Sequence, residues 1–125
     1  MKALVLDQID NRTVATVKDI DLPALAEGDV RVAIDWSSLN YKDALAITGK
    51  GKIIRQFPMV PGIDFAGQVK ESRDPRFVPG QAVILTGWGV GENHWGGLAI
   101  EACVKGDWLV ALPETLSARQ AMIIG

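Results

Sequence analysis

Apolar and polar residues alternate most cleanly over Val30-Arg31-Val32-Ala33-Ile34-Asp35-Trp36. Val30, Val32, Ile34 and Trp36 fall on one face and Arg31, Ala33 and Asp35 on the other, the period of a strand with one buried side. Lys2 to Asp7 reads as a short, mostly buried strand. The polar turn Gln8 to Arg12 leads to a second run, Thr13 to Lys18, that can pair with it as a hairpin. Asp21-Leu22-Pro23 and Glu27-Gly28-Asp29 bracket a loop. Asn40 to Ile47 has the length of a short helix, with Asn40 as N-cap and Asp43 three residues on, as in a capping box. Thr48-Gly49-Lys50-Gly51-Lys52 ends that helix, and Pro58 and Pro61 keep the connector after it extended. Asp64 to Lys70 and Gln81 to Thr86 are further strands. Leu98 to Val104 and Trp108 to Leu112 close the series, and Pro113 stops it. Ser117 caps a last helical stretch.

Composition narrows the class. The chain has 125 residues, 48% of them hydrophobic, which is enough for a core and excludes a disordered polypeptide. Thirteen glycines and six prolines among short strands point to a mainly β (α+β) fold with short helices. Net charge is −2 and the pI about 5.3, so no basic footprint for nucleic acid is present. Cys103 is the sole cysteine, which excludes an internal disulfide framework and a four-cysteine zinc lobe. A reducing, cytoplasmic setting is expected. The apolar run at Met1 to Asp7 is too short for a signal peptide, and none approaches a membrane span.

Four stretches carry candidate chemistry. Asn40-Tyr41-Lys42-Asp43 is either a helix cap followed by surface residues or a polar cluster at the mouth of a cleft; an amide and a phenol both suit an acyl or carboxamide ligand. Pro61-Gly62-Ile63-Asp64-Phe65-Ala66-Gly67 is a turn feeding a strand and brings Asp64 to an element end. Gly87 to Gly97 is dense in glycine, but it lacks the Gly-x-Gly-x-x-Gly spacing before a helix that a phosphate loop needs. Its Trp88, Asn93, His94 and Trp95 are expected to cover a cleft mouth or meet a second domain, with His94 structural. Lys50, Lys52 and Arg55 form a basic run that is either solvated surface or an attractor for phosphates of coenzyme A or NADPH.

The first two stretches together resemble the zinc-independent medium-chain dehydrogenases/reductases, in particular the acryloyl-CoA reductase (quinone-oxidoreductase-like) branch. The resemblance implies a GroES-like, partly open β-barrel over residues 1–125, with a Rossmann cofactor domain expected after Gly125. By itself the chain is then expected to be inactive, with Met122, Ile123 and Ile124 left as an apolar patch. The implied activity is reduction by NADPH of the C=C bond of acryloyl-CoA or a related enoyl thioester; a quinone reductase or a non-catalytic binding barrel are the alternatives. Asn40, Tyr41, Asp43 and Asp64 become the candidate catalytic residues, Tyr41 and Asn40 also contacting the nicotinamide nucleotide. Zinc-dependent relatives have a cysteine near the place of Asn40 and a histidine at that of Ile63; an amide and an alkyl chain do not hold zinc. The expected partners are a small enoyl-CoA or quinone and, for the whole enzyme, a second copy of itself, with neither membrane nor nucleic acid. The acyl group and the proton donor stay open.

Overall fold

The computed structural model describes residues 1–54 and 56–124. Arg55, the third cation of the basic run, and Gly125 lie outside them. Strands β1 (Lys2–Ile9) and β2 (Arg12–Asp19) form the expected antiparallel hairpin. The turn is only Asp10-Asn11, at φ 50° and 63°, the left-handed pair that matches the twist of a two-residue hairpin. β3 (Asp29–Ser37), β4 (Asp64–Ser72), β5 (Ala82–Thr86), β6 (Glu101–Lys105) and β7 (Leu109–Ala111) make a second antiparallel sheet in the order β6-β3-β4-β5-β7. The two sheets do not close, a GroES-like partial barrel: the main core lies on the five-stranded sheet, and Ala3 and Val5 of β1 pack with Val60 in a cluster of their own. The stretch Leu98–Ile100 joins the two sheets. Leu98 accepts from the Leu4 N–H at 2.9 Å, Ile100 donates to Lys2 at 3.1 Å, and Ile100 accepts from Ile34 at 2.8 Å.

Val30 and Val32 of β3, Phe65 and Val69 of β4, Val83 and Leu85 of β5, and Ala102 and Val104 of β6 are all buried in the main core. Each such side chain contributes about 1.5–3 kcal/mol of burial for the larger residues. Trp36 departs from the expected alternation. The register slips between Ile34 and Trp36, and Trp36 emerges 48% exposed, its ring under the Arg119 guanidinium at 5.8 Å. A bulge carries a strand's side-chain direction off its period, so counting by two fails past it.

Two helices flank the sheets: α1 (Tyr41–Thr48) and α2 (Ala118–Ile124). Met122, expected in an unsatisfied apolar patch, instead packs with Ala121 on Ala66 of β4. Ile123 and Ile124 of α2 do remain exposed. At the opposite end Arg76 places one guanidinium nitrogen 2.6 Å from carboxylates of both Asp74 and Asp107, tying the turn after β4 to the 3-10 turn Gly106–Trp108. That contact holds the Asp74 carboxyl below the usual carboxylate range. Among the described residues no helix is long and apolar enough to cross a membrane.

β3 and β4 approach most closely at Gly67, where an added Cβ would lie 2.0 Å from the Ala33 carbonyl oxygen. Neither backbone can yield without breaking the ladder. Gly67→Ala should therefore lower stability by about 2 kcal/mol or more; a urea midpoint within error of the parent's would contradict the close approach.

Candidate functional site

The site is assembled where β3 runs out and α1 begins. Ser38, Leu39 and Asn40 cross from strand to helix, and the backbone of Asn40 is extended (φ −112°, ψ 165°), as an N-cap requires. Asp43 stands at the third helical position and returns its carboxylate to the Asn40 N–H at 3.0 Å. Its other oxygen accepts from the N–H groups of Gly62 and Ile63, both at 3.1 Å. The expectation that element ends send side chains toward a cleft does not describe this residue: Asp43 is 1% exposed. The reason is the Pro61-Gly62-Ile63 turn, which points two backbone donors inward that only a buried acceptor satisfies.

Asp64 opens β4 and is 5% exposed. Its Oδ1 accepts from the Gly87 N–H at 3.2 Å, and its Oδ2 lies 3.3 Å from Ser38 Oγ and 3.4 Å from Asn40 Nδ2. Asn40 Nδ2 also donates to Ser38 Oγ at 2.8 Å. A carboxylate cannot donate, so these neighbours fix the amide with its nitrogen turned inward. Ser38 is a member of the cluster that sequence reasoning missed; its only signal was its place two residues before Asn40. Tyr41, the first residue of α1, is 72% exposed, and among the described residues its hydroxyl has no hydrogen-bond partner. The four candidate residues thus converge, but in two layers. Tyr41 is outside, Asn40 half-buried behind it, and Asp43 and Asp64 are inside.

The Gly87–Gly97 loop packs on the barrel itself. Gly62, at φ 105°, lets it pass: a Cβ there would meet the Gly97 and Leu98 nitrogens at 2.8 and 2.7 Å. His94 donates from Nε2 to the Cys103 carbonyl at 2.9 Å and sets its ring edge-on to Trp108, centroids 4.9 Å apart. These contacts give it the structural role expected of it. Trp95 donates to the Pro58 carbonyl at 3.2 Å. Lys42 of α1 pairs with Glu92, which ties the loop to the helix carrying Tyr41. Asn93, His94, Trp95, Met59 and Cys103 line a cavity of about 410 Å³. Burial first, and then the Asp29 carboxylate, push the Cys103 thiol up. Among the described residues no three His, Cys, Asp or Glu side chains converge as metal ligands.

Asp43→Asn keeps the shape but turns an amide NH₂ toward backbone donors. We expect a loss of about 1–3 kcal/mol, the cost of an unpaired buried polar group. Chemical denaturation measures it, and no change in midpoint would show that the carboxylate is dispensable to the junction.

Comparison with known proteins identifies the family. Residues 26–114 match the profile of the Alcohol dehydrogenase GroES-like domain, well over half the chain. A probable acrylyl-CoA reductase of Escherichia coli strain K12 is 70% identical over 125 residues, covering 100% of this chain and 39% of that protein. An acrylyl-CoA reductase of Ruegeria pomeroyi is 52% identical, covering 98% of this chain and 38% of that protein. The chain therefore spans about two fifths of the length of these curated relatives. A crystal structure of an oxidoreductase from Salmonella enterica in complex with NADP superposes with a TM-score of 0.95 at 70% identity, covering 100% of this chain and 39% of that one. By the profile match and the partial barrel alike, the chain belongs to the alcohol dehydrogenase GroES-like domain family.

Proposed function

We propose that this chain is the substrate-side part of an NADPH-dependent oxidoreductase that reduces the C=C bond of acryloyl-CoA or a closely related enoyl thioester. The observation that carries the reading is the 70% identity, over the whole chain, to a probable acrylyl-CoA reductase. In this reading residues 1–125 are the GroES-like domain, and a Rossmann domain supplies the glycine-rich phosphate turn that the described residues lack. The whole enzyme works in the cytoplasm as a homodimer.

The residues at the strand-to-helix junction fit one end of the cofactor only. Tyr41 offers an exposed donor hydroxyl, and Asn40 backs it with an amide held by Ser38 and Asp64. NADPH, when bound, supplies the hydride that adds to the β-carbon of the alkene. Tyr41 Oη keeps its proton and donates a hydrogen bond that orients the nicotinamide; orientation accounts for much of the rate when two reacting carbons must be held in contact. Asn40 keeps the position beside it filled and polar. Asp43 and Asp64 touch neither reactant. They are positioning residues, the first holding α1 to the Pro61–Ile63 turn and the second holding Asn40 and Gly87.

The test is steady-state kinetics on the enzyme that joins this domain to its Rossmann domain, with acryloyl-CoA and a quinone offered in parallel. Preference for the quinone would overturn the substrate assignment. In the same enzyme Tyr41→Phe should cost roughly three- to tenfold in NADPH affinity or turnover, the worth of one hydrogen bond. A loss on the order of a hundredfold would make Tyr41 the proton donor instead, and no loss would remove it from the site.

The amide of Asn40 and the alkyl chain of Ile63 are not zinc ligands, so the reading also requires no catalytic metal. Elemental analysis of chelator-free protein should find no stoichiometric zinc; about one zinc per chain retained through dialysis would contradict it.

A further inference from the structure

The basic run after α1 has no part in the site described above. Lys52 lies in the wall of a cavity of about 650 Å³, which opens between the C-terminal end of α1 and the β1–β2 hairpin. Ala46 and Gly49 mark the helix end in its wall, and the side chains of Gln8, Asn11, Thr13 and Gln56 line it with hydrogen-bonding groups. Phe57 adds an aromatic ring. Among the described lining residues there is no carboxylate. That separates it from the cavity beside Cys103, which has Asp21 in its wall, and from the groove between Lys2 and Ile100, which has Asp35. Among the described residues neither Lys50 nor Lys52 is engaged in an ion pair, in a chain that carries more acids than bases. A polar cavity with an uncommitted ammonium group and no carboxylate is suited to an anion.

Its position says which anion. α1 is a ruler of eight residues, about 12 Å long. Tyr41 is at its first turn, where the alkene would be reduced, and the cavity is at its last. An acyl group joined to coenzyme A is separated from its phosphates by the pantetheine arm, long enough to follow such a helix from end to end. We propose that this cavity is the subsite for the nucleotide end of the thioester substrate, with Lys52 meeting its phosphates and Phe57 offering a face for the adenine. The assignment rests on the enoyl-CoA reading above and deepens it. A phosphate of NADPH has the same chemistry, so the experiment must separate the two.

Lys52→Gln keeps the stem and removes the charge at an exposed position. In the enzyme joined to its Rossmann domain, kcat/KM for acryloyl-CoA relative to acryloyl-pantetheine, which has no nucleotide, should fall about tenfold, the scale of one lost charge-assisted contact. Equal losses with the two thioesters, or a rise confined to the KM of NADPH, would overturn the proposal. Added salt should erode the advantage of acryloyl-CoA in the parent enzyme more than in the variant. Titration of the 125-residue chain with adenosine 3′,5′-bisphosphate gives a readout independent of turnover. Binding that Lys52→Gln weakens supports the subsite, and absence of binding counts against it. If neither thioester is reduced, the enoyl-CoA reading falls, and that titration alone decides whether the cavity takes the nucleotide.

Discussion

The carboxylate of Asp43 is the constraint on which the rest of the site depends. A carboxyl group is expensive to bury without partners, and it is tolerated here because three backbone N–H groups donate to it. Those donors belong to segments about twenty residues apart, the start of α1 and the turn before β4. Neither segment could be buried without the acid, since each would carry N–H groups with no partner. The same turn brings Gly62 against the backbone of Gly96 and Gly97, contacts of under 3 Å for any Cβ placed on either Gly62 or Gly96. One carboxylate thus fixes the helix that carries Tyr41, the strand that begins with Asp64, and the loop that crosses them both.

The layering follows from that. The carboxylates of Asp43 and Asp64 are inside and already hydrogen-bonded, which leaves the outward face with a phenol and half an amide. Such a face is poor at acid–base chemistry unaided and good at holding a planar ring in place, which is what the proposed hydride transfer from NADPH would ask of it.

Much of this was legible in the sequence. Each strand was expected close to where it occurs, since period two over β3, the polar turn from Gln8 to Arg12 and the stop at Pro113 are local signals. The cap at Asn40 and the acid three residues on were equally local. The destination of that acid was not. A capping-box aspartate looks the same whether its second oxygen meets water or the amides of Gly62 and Ile63, and only the folded turn decides. Trp36 was misplaced because nothing in its neighbours marks the bulge at Asp35. Met122 was read as facing outward although its partner, Ala66 of β4, lies over fifty residues earlier, a pairing that no window along the chain reveals. The resemblance to a known family supplied what pattern could not: which polar cluster to weigh as a site.

The stretch from Leu98 to Lys105 has a consequence for how the molecule survives its own folding. Its first three residues bond to β1 and to β3, and the remainder, as β6, completes the flank of β3. A single late segment therefore covers the exposed edges of two strands made well before it, β3 and, earlier still, β1. Until it docks, the chain has two open templates for pairing with a neighbour of its own kind, and strand edges left open are where aggregation begins. The cell would see this as a difference in yield: a substitution that slows the closing of this one seam should fill inclusion bodies before it changes any property of the finished fold.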